Sequence, residues 1–443
     1  MHLFWRIWFI SLGIKILISY FFPLSPDEAY YWIWSKHLQL SYFDHPGMVA
    51  WLFKLGEPFE TWGHLCRMPF LLLSHGTYYI WKQIFQHLDL NTTDTPKSFS
   101  STDIWLLLAL SSPITGFGGL VATPDIPLLF FWSCSLLAFI YLCTNPKSIL
   151  TGILLGSFLG LGFCSKYHMV LFVPLAFIFI FIKKIKIHIP TLIALILAGL
   201  LFSSPVLIWN YSNQFKSFLF QFNHGLSSNE FSYSWIMDYL FGTIILVSPI
   251  IFYWSFLNFK KNLLLAIFGF GPFVFFTFTS LRAHVELNWP SIAYPSIFAL
   301  AILNKKSYRS LSYVSYFWIF IYTILFISFL NPQTRYLNTK LHEPFVFEKL
   351  KNLPLQYSPF YAGNYQLASS LSYFSKKDVL KLPQINRFDF FDELTRLPLK
   401  EQVFYLLKED HVPVPQWMLE QKWIMTDIGH YGRNLVLLKC ELK

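Results

Sequence analysis

The chain has 443 residues, of which 54% are hydrophobic and 20% aromatic against 13% charged, and its mean hydropathy is +0.45. So much apolar surface with so few charges excludes an ordinary soluble domain and points to a polytopic membrane protein. The net charge of +10 does not mark a nucleic-acid partner, because the Lys and Arg residues sit in short clusters between apolar runs, as the positive-inside rule describes.

Apolar runs of roughly 17–25 residues recur, long enough to cross a hydrocarbon core about 30 Å thick. The backbone must satisfy itself there, so the runs are expected to be helices. In chain order they cover 3–22, 65–88, a third ending at Pro113, 126–143, 149–164, 169–182, 189–209 and 235–259; a ninth reaches Leu281, a tenth ends at NKKSYR, and the last covers 311–330. The first run holds Arg6 and Lys15 and has no small-residue cleavage site, so it is expected to be retained as a helix. The polar loop NTTDTPKSFSSTD after the second run reads as flexible, and its sequon-like NTT as a chance match.

Placing the N-terminus in the cytoplasm and alternating sides puts the loop after Leu88, NPK, KKIKIH, KK and NKKSYR inside, and most of these carry the dense basic clusters that belong there. The outer face then receives loops 25–64, 113–125, 210–234 and 282–290, with Asp27, Glu28, Asp44, His45, Asp125, Lys166, His224, Arg282, His284 and Glu286. After residue 330 the composition turns polar. QVFYLL and NLVLLKCEL read as strands, and NYQLASSLSYF as a helix. The expected fold is an α-helical polytopic membrane protein of about 11 transmembrane helices, residues 1–330, with a small α/β C-terminal extracytoplasmic domain, residues 331–443. The five cysteines show no metal-ligand spacing and read as small buried hydrophobes.

Candidate chemistry gathers on the outer face. Asp27 and Glu28 are adjacent, so on a helix they point about 100° apart and do not bind one atom together. One reading makes one of them a general base towards a hydroxyl, braced by the other. The other reading makes the pair a helix N-terminal cap, where anionic side chains are favoured. The following AYYWIWSKHL reads as an amphipathic helix at the membrane surface, its aromatics at headgroup level.

Asp44 and His45 precede the rigid Pro46. Either they form a surface pair, or Asp44 joins His224 of QFNHGL in holding a divalent metal. Asp125 in ATPDIP reads by itself as an N-cap. Lys166 closes GILLGSFLGLGFCSK, whose small residues allow close helix packing. A lysine there either snorkels to the headgroups or, with Arg282 on the same disfavoured side, receives an anionic lipid phosphate.

PDEAYYWIWSKHLQLSYFDHPGMVAW, ATPDIPLLFFW, GLGFCSKYHMVLF and LNWPSIAYPS resemble the bacterial C-type glycosyltransferases, the group containing protein O-mannosyltransferases and the aminoarabinose transferases that modify lipid A. YAGNYQLASSLSYF is similar to one bacterial branch. The resemblance implies a polyprenyl-phosphate sugar donor, a hydroxyl acceptor in the envelope (lipid A, another glycolipid, a polysaccharide or a protein) and work on the extracytoplasmic side of a bacterial inner membrane. It implies Asp27 as catalytic base, Asp125 as the second acid, Lys166 as the contact to lipid phosphate, and Asp44 with His224 as a metal pair. Arg282 is assigned to the phosphate by its side and charge alone. His45-Pro46-Gly47 departs from the family pattern, in which a second proline is common.

The expected reaction is an inverting displacement. A carboxylate takes the hydroxyl proton while positive charge meets the leaving phosphate. A lipid-linked sugar flippase and a non-catalytic scaffold are the competing classes. A transporter usually places charges near the midplane on broken helices, often with internal repeats; here the charges cluster at one face.

Overall fold

The computed structural model describes residues 2–90, 99–226, 231–331, 333–334, 341–395, 397–432 and 434–443, without the side chains of 224–226. The NTT motif and most of its loop lie outside the described residues. The helices run α1 Leu3–Phe21, α2 Pro26–Lys36, α3 Met48–Gly56, α4 Met68–His87, α5 Ser101–Ser111, α6 Asp125–Thr144, α7 Ile149–Ser165, α8 Phe172–Lys183, α9 Ile189–Ser212, α10 Lys216–Leu226, α11 Tyr233–Val247, α12 Pro249–Leu257, α13 Leu263–Thr279, α14 Tyr294–Ala301 and α15 Tyr308–Leu330. Every apolar run contains helix. Among the described residues, four helices are long and apolar enough to cross a membrane, and up to six if each bent pair counts once. The protein is thus membrane-embedded and multi-pass.

The difference from eleven full spans has local causes. Two runs are broken: the helix at Ser101–Ser111 bends by 76° into the turn at Pro113, and α11 bends by 83° into α12. Pro113 and Pro249 stand at the first position of the following element, where a missing N–H costs nothing but the preceding helix cannot continue. Helices α7 and α13 are shorter apolar helices, as is the stretch Tyr167–Lys183. The tenth run keeps only the eight residues of α14. The loop 210–234 contains helix α10.

Two compact units are present. The first comprises Met1–Ser19, Leu40–Leu52 and Arg67–Tyr322. Its core packs Trp81, Trp105, Trp132, Phe139, Phe268 and Phe298 with small residues of α14. Helices α7 and α9 approach closely through glycines. A Cβ at Gly156 would lie 2.1 Å from Leu195 O, and one at Gly160 would lie 2.8 Å from Gly199 O. That contact fixes the end of α7, where Lys166 follows.

The second unit comprises Tyr20–Gln39, Phe53–Cys66 and Thr323–Lys443. Its tail adds α16 Glu343–Lys349, α17 Leu353–Gln356, β1 Phe360–Ala362, α18 Tyr365–Ser375, β2 Leu380–Lys381, α19 Phe390–Leu394, β3 Val403–Glu409, α20 Gln416–Glu420, β4 Trp423–Tyr431 and β5 Leu435–Leu442. The sheet order is β2-β1-β3-β5-β4. β1 is parallel to β2 and β3, while β5 is antiparallel to β3 and β4. Tyr361, Phe404, Leu406, Met418 and Cys440 fill the core against it. All five cysteines are free, and four are buried.

The aromatic residues of helix α2 pack inside the protein. Ala29 to Ser35 are all buried. Tyr30 packs on Tyr365 at 4.5 Å and Trp32 on Tyr373 at 5.1 Å, both from α18. Glu60 accepts from Trp32 Nε1, Lys36 and Lys376 beside them. Against the pull of burial, these hydrogen bonds hold the Glu60 carboxyl below its usual range.

Candidate functional site

The two readings of the Asp27–Glu28 pair divide between its members. Ser25 is the N-cap of α2: its Oγ accepts from Glu28 N at 3.3 Å, and Glu28 Oε2 accepts from Ser25 N at 2.9 Å. Together with Pro26 at the first turn this is a complete capping box. Glu28 is therefore buried and turned back on its own helix. Asp27 points the other way and is exposed. Gln366 Nε2 donates to Asp27 Oδ1 at 2.9 Å, and Tyr365 OH donates to the same oxygen at 3.4 Å. Among the described residues Oδ2 accepts no hydrogen bond, so one carboxylate oxygen is fixed and the other is open. Gln366 and Tyr365 belong to the tail motif NYQLASSLSYF, which reads as a helix from periodicity but whose amide and phenol carry no charge to flag them.

In the first unit, Lys166 and Asp125 form a pair. Lys166 Nζ lies 2.7 Å from Asp125 Oδ1, with side-chain exposures of 7% and 15%. Asp125 opens α6, but Pro124 precedes it and no side chain caps that helix. The carboxylate is turned to Lys166 instead of serving as the expected N-cap. Asn288 Nδ2 donates to Asp125 Oδ2 at 2.8 Å and Ser291 Oγ to Oδ1 at 3.5 Å. Both oxygens are thus held by donors, two of them neutral, in the charge-assisted geometry that makes short strong bonds. Asn288 and Ser291 sit inside the LNWPSIAYPS motif.

A cavity of about 160 Å³ opens beside this cluster, lined by Asp125, Asn288, Ser291, Thr123, Trp105 and Tyr78 among others. It offers one carboxylate, an amide and several hydroxyls, with an indole wall. Such a lining suits a polar group that must be oriented, not merely solvated.

The remaining candidates are placed differently. Asp44 is buried in a turn closed by the Ser41–Pro46 bridge, with Tyr42 N donating to His45 O at 3.2 Å. Its backbone carbonyl accepts from Gln221 Nε2 of α10 at 2.7 Å. His45 is half-buried in the same turn. His224 falls on α10, but its side chain is outside the described residues. Among the described residues no three His, Cys, Asp or Glu side chains converge as a metal site would require. The described donors at Asp44 thus fall short of a metal's ligand set, and no chemical step is routed through one. Arg282 is exposed in the loop after α13; that loop enters the Asp125 cluster through Asn288.

The chain is similar in sequence over part of its length, and in fold over nearly all of it, to known proteins. Residues 99–209, which contain both Asp125 and Lys166, match the family model described as dolichyl-phosphate-mannose-protein mannosyltransferase. The fold is that of ArnT from Cupriavidus metallidurans: its apo form and its form bound to undecaprenyl phosphate each match with a TM-score of 0.66, at 13% identity, over 98% of this chain and 97% of that one. Among particular proteins, the chain is similar to lipid A galacturonosyltransferase RgtD of Rhizobium johnstonii, 28% identical over 191 residues. That match covers 42% of this chain and spans only 38% of the relative's length.

Proposed function

We propose that the protein is a membrane glycosyltransferase that moves a sugar from a polyprenyl-phosphate donor to a hydroxyl of a cell-envelope acceptor. The observation carrying this reading is that the segment matched by the mannosyltransferase family model holds both members of the buried Asp125–Lys166 pair. The likeness to a lipid A galacturonosyltransferase and to a fold known with bound undecaprenyl phosphate supports it. On this reading the acceptor is lipid A, another glycolipid, a polysaccharide or a protein. The apolar runs make eleven crossings of a bacterial inner membrane, and Asp27, Lys166 and the tail face outward.

The acceptor oxygen attacks the anomeric carbon and the bond from that carbon to the phosphate oxygen breaks, with inversion. Asp27 Oδ2 takes the hydroxyl proton. The lipid phosphate leaves with an added negative charge, which Lys166 meets, aided by Arg282. Lys166 already has an anionic partner, so the phosphate enters by sharing the ammonium with Asp125, which Asn288 and Ser291 keep in place to orient the sugar or acceptor. Glu28 holds the first turn of α2 and so aims Asp27. Asp44 with His224 is kept as a divalent-ion site outside this scheme. Titrating metal-free protein with Zn²⁺ tests it: binding lost in Asp44→Asn supports the site, and equal binding removes it.

An assay of purified protein with polyprenyl-phosphate sugars and envelope glycolipids tests the main reading. Release of free polyprenyl phosphate with a glycosylated acceptor supports it. Movement of the intact donor across a vesicle bilayer without bond cleavage makes the protein a flippase, and neither outcome makes it a scaffold.

A further inference from the structure

Lys15 lies within α1 and is 6% exposed. Its Nζ donates to Ser74 Oγ and to Tyr78 OH of α4, each at 3.3 Å. Both partners are neutral, and among the described residues no carboxylate pairs with it. An ionisable group inside a membrane helix is costly unless something compensates it, and such groups mark ligand or ion sites more often than packing. Gly119 is adapted to this ammonium: a Cβ there would meet Ser74 Oγ at 2.4 Å and Lys15 Nζ at 2.7 Å.

The cavity beside Asp125 is the second, independent observation. Ser74, Tyr78 and Gly119, the groups against Lys15 Nζ, all line it. The lysine stands directly behind that lining. Asp125 is committed to Lys166 at 2.7 Å, which leaves Lys15 without a carboxylate partner among the described residues, beside the hydroxyl of Ser74. The volume, about 160 Å³, is that of about five waters. This is room for a compact oxyanion with its hydroxylated surroundings.

We propose that Lys15 and Ser74, held in place by Tyr78, form an anion subsite in this cavity, reading a negatively charged oxygen group of the lipid-linked donor. The site rests on the donor class proposed above. The anion is either the carrier phosphate or a carboxylate on the sugar. Bound there, it replaces the missing counter-charge of Lys15 and accepts from Ser74 Oγ, since Tyr78 OH already donates to Thr115 O at 2.6 Å. The subsite therefore selects for charge at one end of the cavity while Asp125 and Asn288 read hydroxyls.

The test is binding by the full chain in lipid nanodiscs, wild type against Lys15→Met, with Lys15→Gln as the second variant where Lys15→Met does not fold. The probes are undecaprenyl phosphate and undecaprenyl phosphates bearing a hexuronic acid or a neutral hexose. Loss of tenfold or more in affinity for all three assigns the anion to the carrier phosphate. A comparable loss confined to the hexuronic acid probe assigns it to the sugar carboxylate. Lys15→Arg retains most of the affinity in either case. Equal affinity of wild type and a folded Lys15 variant for every probe overturns the subsite and leaves the donor class standing. Absence of binding by the wild type to all three removes the donor class itself.

Discussion

Gln366 donates to Asp27 through its Nε2 at 2.9 Å, so the first turn of α18 holds the carboxylate that opens α2. The bond lands on Oδ1, as does the weaker one from Tyr365. A hydrogen bond to a charged group contributes about 1.5–3 kcal/mol, roughly 10- to 100-fold in rate if it is used in positioning a base. Gln366→Ala is therefore expected to lower kcat by that factor while leaving donor KM within about twofold. Gln366→Glu sets a second carboxylate against Asp27, and its deficit should shrink as pH falls. Steady-state kinetics from pH 5 to 8 check this; an unchanged kcat in both variants contradicts the positioning role.

The Asp125–Lys166 pair makes a prediction about stability as well as activity. Removing one partner of a buried pair strands a charge, at a cost of about 3–5 kcal/mol, whereas replacing both with apolar groups is often near neutral. Lys166→Met alone should lower the melting temperature, and Lys166→Met with Asp125→Leu should restore much of it. Neither should transfer sugar. Thermal denaturation with a parallel activity assay decides; a double variant that regains activity removes both residues from the reaction.

Close packing of α7 on α9 supports Lys166 from behind. Gly156→Ala would drive a Cβ into Leu195 O at 2.1 Å and Gly199 N at 2.9 Å. Overpacking against backbone costs about 1–3 kcal/mol. We expect a lower melting temperature with reduced activity, while Gly13→Ala, whose Cβ meets nothing within 4 Å, should leave both unchanged. Equal behaviour of the two variants would contradict the packing account.

A pH effect belongs to the tail. Asp389 is buried, caps α19 and lies 2.7 Å from Lys381. Burial pushes its carboxyl up from 3.8 to about 6, against the pull of Lys381. The folded state then keeps a proton that the unfolded state has already lost between those values. Its contribution is complete below pH 3.8 and disappears as pH passes about 6. Calorimetry at pH 4.5 and 7 should show the tail less stable at the higher pH, with the difference reduced in Asp389→Asn. An unchanged difference in the variant assigns the pH effect elsewhere.

Membrane embedding was legible because apolar runs of span length cannot serve a small soluble core. Breaks inside those runs were less so: Ser248-Pro249 bends a stretch that reads as one helix, because hydropathy does not register a kink. In the tail, NLVLLKCEL and QVFYLL announced β5 and β3 by their apolar density. The three-residue β1 and two-residue β2 are too short to give a period, and β4 turns polar after Trp423, Ile424 and Met425, which leaves no strand-length apolar run.

At the site, the sequence brought forward charged side chains and passed over neutral ones. Asp27, Asp125 and Lys166 stood out as rare charges. Nothing in the spacing of Lys166 and Asp125, 41 residues apart, indicated that they meet. Asn288, Ser291 and Gln366 were silent because amides and hydroxyls are common in loops and helix starts. Glu28 showed the opposite effect: its charge drew attention, while the Ser25–Glu28 spacing of a capping box accounts for it.

The central claim is that Asp27 removes a proton during sugar transfer from a lipid phosphate. The most direct measurement is release of free polyprenyl phosphate by wild type and Asp27→Asn, in the same lipid nanodiscs with a glycolipid acceptor, alongside donor affinity. We predict that wild type turns the donor over and that Asp27→Asn binds it with similar affinity but releases none. Undiminished release by Asp27→Asn would contradict the account.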